Sequence, residues 1–195
     1  MTPPDVVSGV DFSGDSFVVM SALIGTDYAI KTSSGEKLLS ARRRFFDERQ
    51  EYEFRDDDTL VLQYVRGEPT EGRTRFELRE ADSGAVVATL VREDPAAEER
   101  WEVRPASTGD VAARIVTEEA GRSLLGTPSG QQMNVTTAEG EPIGEVSRRT
   151  LSVHLTFDVT LPDLDGVAKA AAVLAVPLLY DEMQPGSEFE TMGEN

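Results

Sequence analysis

Residues Ala170 to Tyr180 read AAAVLAVPLLY, apolar on every side of any helix they form, with Asp163-Leu164-Asp165 before them and Asp181-Glu182 after. A helix without a polar face has to be surrounded, by lipid or by its own protein. A bilayer span takes about 20 apolar residues; this run is far shorter, with Lys169 at one end and acids at both. The sequence therefore predicts a helix threaded through the middle of a soluble domain. Its alanines keep it narrow, so that surrounding walls can approach closely.

The rest of the chain supplies the walls. Tyr28 and Ile30 lead through a turn at Gly35 to Leu39, Ala41 and Arg43 at alternating positions. The pattern recurs as Phe76 and Leu78, Gly84, then Ala88, Leu90 and Arg92. It recurs again as Trp101 and Val103, Gly109, then Ala113, Ile115 and Thr117. A fourth copy is Met133 and Val135, Gly140, then Gly144, Val146 and Arg148. Period-two alternation marks strands with one buried face, and glycine supplies the positive φ that hairpin turns favour. A fifth hairpin fits Tyr52 and Phe54, a turn at Asp56-Asp57-Asp58, then Leu60, Leu62 and Tyr64. Small residues at Ala41, Ala88, Ala113 and Gly144 share the face of Leu39, Leu90, Ile115 and Val146. If that face points inward, it leaves room for a central element, and the alanine-rich helix is the candidate.

The flanking segments are read from the same signals. Residues 1–15 are rich in Pro, Gly, Ser and Asp and predict a flexible arm. Phe17 to Met20 is a short strand, and Glu118 to Gln132 is ambiguous. Leu151, Val153, Leu155, Phe157, Val159 and Leu161 alternate with polar residues and predict one long last strand. Pro162 ends it, and Asp163 or Asp165 is placed to cap the helix. Pro177 should kink the helix or end it early. One domain over 16–183 is expected, with residues 184–195 an acidic disordered tail.

Composition narrows the chemistry. The net charge is −17 over 195 residues, which repels nucleic acid and anionic membranes at long range. Lys31, Lys37 and Lys169 are the only lysines, and sparse lysine with abundant acid resembles the bias of salt-loving archaea. There is no cysteine, which excludes disulfides and thiolate chemistry. The opening residues lack the basic start and apolar run of a signal peptide, so a cytoplasmic setting is expected.

No motif carries catalysis. His154, the single histidine, falls on the polar face of the last strand beside Thr156 and Asp158, where side chains run parallel instead of converging. No nucleophile elbow, phosphate-cradling glycine loop or metal spacing occurs. The acids Asp56-Asp57-Asp58 and Asp163, Asp165 lack the spacing of a calcium loop. No enzyme, cofactor or metal is therefore expected. The one candidate binding feature is cationic. Arg42, Arg43 and Arg44, with Arg92, Arg148 and Arg149, end equivalent strands and could gather at one rim to hold an anionic head group. The competing reading pairs them with neighbouring Asp and Glu.

At the last helix the pattern becomes specific. Asp163-Leu164-Asp165, Lys169-Ala170, Val173-Leu174, Leu178-Leu179-Tyr180-Asp181 and Met183 resemble the C-terminal segment of the phospholipid scramblase family. YAIKTSSGEKLLSARRR and MNVTTAEGEPIGEVSRR resemble the hairpins of LURP-one-like and tubby-C-terminal-like proteins. The likeness runs from about Phe17 to Met183. It implies a mostly β (β+α) fold, a closed antiparallel barrel of about twelve strands around a central hydrophobic C-terminal helix. Tubby domains bind phosphoinositides, but their basic site has no residue-by-residue match here. The scramblase calcium segment corresponds to a short VTLPDLDG, and the palmitoylated cysteines have no counterpart. The expectation is a binding or scaffold module for a protein or lipid, without nucleic acid. The alternative is a peripheral membrane protein that binds or translocates phospholipids through the arginine rim.

Overall fold

The computed structural model describes residues 5–22, 27–44, 51–69, 73–93, 100–118, 132–149 and 152–182. A two-stranded hairpin, β1 (Val6–Val7) and β2 (Val10–Asp11), precedes the barrel. The barrel strands are β3 (Ser16–Ser21), β4 (Asp27–Thr32), β5 (Lys37–Arg44), β6 (Glu51–Asp56), β7 (Thr59–Arg66) and β8 (Arg75–Glu80). They continue as β9 (Val86–Arg92), β10 (Arg100–Pro105), β11 (Ala113–Glu118), β12 (Gln132–Thr136), β13 (Pro142–Arg148) and β14 (Thr156–Thr160). Each pairs antiparallel with the next, and β14 closes the ring on β3. The closed twelve-strand antiparallel barrel and its C-terminal helix, α1 (Gly166–Glu182), the one helix among the described residues, match the expected architecture.

The five predicted hairpins are all present, as β4–β5, β6–β7, β8–β9, β10–β11 and β12–β13. Gly35 turns with φ of +91°, whereas the β6–β7 turn places Asp57 at φ of +48°, a conformation that Asp tolerates better than most side chains. The inward face is the predicted one, since Leu39, Ala41, Ala88, Leu90, Ala113, Ile115 and Val146 are all buried. A closed ring leaves no free strand edge. It also creates an apolar lumen that something has to fill.

The helix fills it. Every residue from Ala168 to Leu179 is buried, Lys169 included. Tyr64 is itself fully buried on the barrel wall and donates its hydroxyl to the Ala171 carbonyl at 2.9 Å. Burial pushes that hydroxyl above the ordinary phenol value of 10.0, so it stays a donor. Lys169 Nζ lies 3.3 Å from the Gly14 carbonyl and 3.7 Å from Asp15 Oδ1, so its charge is met by the chain entering β3. Pro177 does not end the helix, which continues to Glu182.

Three expectations are corrected. Residues 5–12 are not a loose arm: they fold back as the β1–β2 hairpin and bury Val7, Val10 and Phe12 in the core. That hairpin brings Asp5 to the start of α1, where Gly166 N–H donates to Asp5 Oδ1 at 2.7 Å. The side chain serving the first turn is thus Asp5, while Asp163 and Asp165 are exposed. The last strand is also shorter than its alternation. β14 starts at Thr156, Val153 is 87% exposed, and Thr156, expected outside, is buried. Its neighbours β13 and β3 end at Arg148 and Ser21, so the alternating sequence outruns the ladder that could use it. The ambiguous segment at 119–131 and the tail at 184–195 lie outside the described residues.

Losing an N-cap carboxylate costs about 1 kcal/mol. Asp5→Ala should therefore lower the urea midpoint measurably, while Asp163→Ala should leave it unchanged. Equal effects from the two would remove Asp5 from the helix cap.

Candidate binding rim

The strands that descend to the carboxyl end of α1 finish in a regular arrangement. Register opposes Ser21 to Tyr28, Arg43 to Tyr52, Arg66 to Phe76, Arg92 to Trp101, Thr117 to Met133 and Arg148 to Phe157. Each large apolar partner in these pairs is buried. Directly opposed residues share a face of the sheet, so the polar member of each pair belongs to the inner face. A layer of large side chains thus surrounds the helix end, and four arginines stand in the outermost layer. The sheet alternation that builds the core also carries a cation to the mouth.

Contacts give three of the four arginines a setting. Arg92 Cζ lies 5.9 Å from the Trp101 ring centroid, and Arg148 Cζ lies 6.0 Å from that of Tyr180, within the range of a cation–π attraction. Tyr180 packs against Phe157 with centroids 5.3 Å apart. Arg43 Nη1 lies 3.2 Å from Asp181 Oδ2, with both side chains largely buried.

Asp181 engages three donors at this end. Its Oδ2 also accepts the Tyr52 hydroxyl, and its Oδ1 accepts the Tyr28 hydroxyl at 3.3 Å. Burial first, and the Asp181 charge second, push both phenols well above their ordinary value of 10.0. They therefore stay protonated and serve as donors. The helix has no basic residue in its last turn, so the barrel wall supplies the positive charge that favours a helix C-terminus.

The six arginines singled out from the sequence divide by parity. Arg43, Arg92 and Arg148 are on the inner face at the mouth. Arg42, Arg44 and Arg149 are on the outer face and hold Asp27 at 3.1 Å, Glu53 at 2.7 Å and Asp158 at 2.5 Å. The six share one rim but present two different surfaces. Arg66 was missed, although Leu62, Tyr64 and Arg66 continue the same alternation. The Tyr28–Tyr52–Asp181 cluster was missed as well, having no local signature.

Outside the barrel, glutamates alternate with arginines. Glu53 lies between Arg44 and Arg55, Glu77 between Arg75 and Arg79, and Glu102 near Arg104 and Arg114. Burial acts to raise the Glu102 carboxyl, but hydrogen bonds led by Arg104 overcome it and hold it below its ordinary value of 4.5. An open groove of about 990 Å³ runs over the outside of β6, β7 and β8, lined by Glu51, Gln63, Val65, Arg75, Glu77 and Arg79, and Arg66 borders it where β7 ends at the rim.

The other candidates are scattered. His154 is half-buried in a bend before β14, not on a strand, and its Nδ1 has no hydrogen-bond partner. Asp57 is exposed and pairs with Lys37 at 3.4 Å. Among the described residues no three His, Cys, Asp or Glu side chains are placed to hold a metal ion. No helix among the described residues is long and apolar enough to cross a membrane.

Strand order, closure and the enclosed helix together define a tubby-like barrel. The same architecture is found in the X-ray structure of a protein from Arabidopsis thaliana, AT5G01750. The likeness has a TM-score of 0.54 at 13% identity and spans 87% of this chain and 92% of that one. At that identity it shows the fold alone, and the fold is the one implied by the LURP-one and tubby-like resemblance. No protein-family model matches the chain, and no curated relative does.

Proposed function

We propose that this chain is a non-enzymatic, cytoplasmic binding or scaffold module whose recognition surface is its exterior and the arginine rim, not its lumen. The observation that carries this reading is the occupancy of the lumen. A small-molecule enzyme needs a concave site with a few convergent polar groups. Here the space inside the barrel holds α1, and wall side chains such as Phe54, Tyr64, Leu90 and Val135 are fully buried in the same apolar cluster as the helix. The polar groups that do converge, at Asp181, hold the helix itself.

The alternative, a peripheral protein that binds or moves phospholipids through the rim, draws support from the arginines at the mouth. Against it stand the acids already paired with the outer arginines and the net charge of −17.

One experiment separates the two. The purified chain is floated with vesicles of phosphatidylcholine containing anionic phosphatidylserine, in high salt and in low salt, beside a tagged pull-down from native lysate. The binding-module reading expects the chain to stay at the bottom of the gradient in both salts and to retain a defined protein. Salt-sensitive flotation that is lost in an Arg66→Ala/Arg148→Ala variant would replace it with the lipid reading.

A further inference from the structure

Asp181 is an acid in the last turn of a helix, at the pole where backbone carbonyls already concentrate negative charge. Nothing in the helix offsets it, since the last turn has no basic residue. Its surroundings do. Three donors from three successive strands converge on the carboxylate: Tyr28 of β4, Arg43 of β5 and Tyr52 of β6. The two tyrosines are 6% and 2% exposed. Their ring bodies belong to the apolar layer around the helix, and only their hydroxyls are polar.

We infer that Tyr28, Arg43 and Tyr52 form a preorganised receptor for a carboxylate group, which the chain fills with its own Asp181 and so locks the carboxyl end of the helix into the barrel. Geometry carries the inference. One carboxylate oxygen is shared by the guanidinium and one phenol, the other is taken by the second phenol, and both phenols are fixed by burial. Charge-assisted hydrogen bonds of this kind are the stronger class, and donors fixed before the ligand arrives spend little entropy in binding it. Such a site recognises the carboxylate itself, wherever it comes from. A small free carboxylate should therefore fill it once the Asp181 side chain is removed.

The test is chemical rescue in the full chain. Asp181→Ala should melt about 5 °C below the wild type in sodium chloride. Sodium acetate or formate at matched ionic strength should restore a large part of that loss. The wild type, and Asp181→Ala combined with Tyr52→Phe, should show no gain specific to carboxylate. Melting curves of Asp181→Ala that superimpose in acetate and chloride would overturn the inference, as would an equal acetate gain in the wild type. Should Asp181→Ala fold only in carboxylate, the inference stands. Should it fold in neither, Asp181→Asn decides, because it keeps the shape and removes the charge. Amide hydrogen exchange in the last turn of α1 should then run about tenfold faster than in the wild type, and unchanged exchange there would overturn the receptor.

Discussion

Leu174→Asp is expected to abolish cooperative folding. Leu174 is fully buried within a helix whose neighbours from Ala170 to Leu179 are buried as well, so a carboxylate there would have neither water nor a cation. An unpaired buried charge costs several kcal/mol, a large share of the roughly 5–15 kcal/mol that holds a domain together. Unfolding in urea followed by near-ultraviolet circular dichroism should show no sigmoidal transition. Leu174→Met, which conserves volume, should cost less than about 1.5 kcal/mol. A normal transition for the aspartate variant would mean that the barrel stands without its filling.

The second large effect is expected at Gly144. A Cβ placed there would lie 2.3 Å from the Thr160 carbonyl oxygen, 2.7 Å from Leu161 Cδ2 and 3.2 Å from Leu161 Cα. Two of those three atoms are backbone and cannot swing aside. β13 and β14 would have to separate where the chain leaves the barrel for the helix. Overpacking of this kind costs about 1–3 kcal/mol, and Gly144→Ala should fall at the upper end of that range in urea unfolding. Gly67→Ala is the matched control. Its new Cβ would meet nothing closer than Glu77 Oε1 at 3.4 Å, and it should stay within about 0.5 kcal/mol of the wild type. Equal effects at the two glycines would remove the steric explanation.

Gly144 also marks the boundary of what could be read from the sequence. Its small size was visible in the alternation of β13, and the requirement for smallness is real. The reason is different from the expected one: the close neighbour is the end of β14, not the helix. The inner faces of the five hairpins were legible because a period of two ties each side chain to one side of the sheet, whatever the partner strand. The burial of α1 was legible because a helix apolar on all sides has no stable position in water.

Long-range pairings were not legible. Asp181 is 153 residues from Tyr28 and 129 from Tyr52, and nothing local to any of the three announces the others. The amino-terminal hairpin was hidden by its Pro, Gly and Ser, which outweighed the irregularly spaced Val7, Val10 and Phe12. Ser152 to Leu155 misled in the opposite direction, because alternation describes a strand only as far as neighbouring strands exist to pair with it. The rim was half legible. The positions of the arginines followed from equivalent strand ends, but whether each faced inward or outward needed the register.

The order of the chain also has a consequence for its synthesis. Among the described residues all ladders except one join consecutive strands, and the exception joins β3 to β14, the first wall segment to the last. The helix follows that final strand. A ribosome therefore releases the lining before the material that occupies it, leaving a nascent cup with a greasy bore and two open edges until β14 and α1 have emerged. Non-local closure of this kind is slow, and the exposed cup is the species most prone to clumping. Native assembly of this protein in that sense waits on the emergence of β14 and α1.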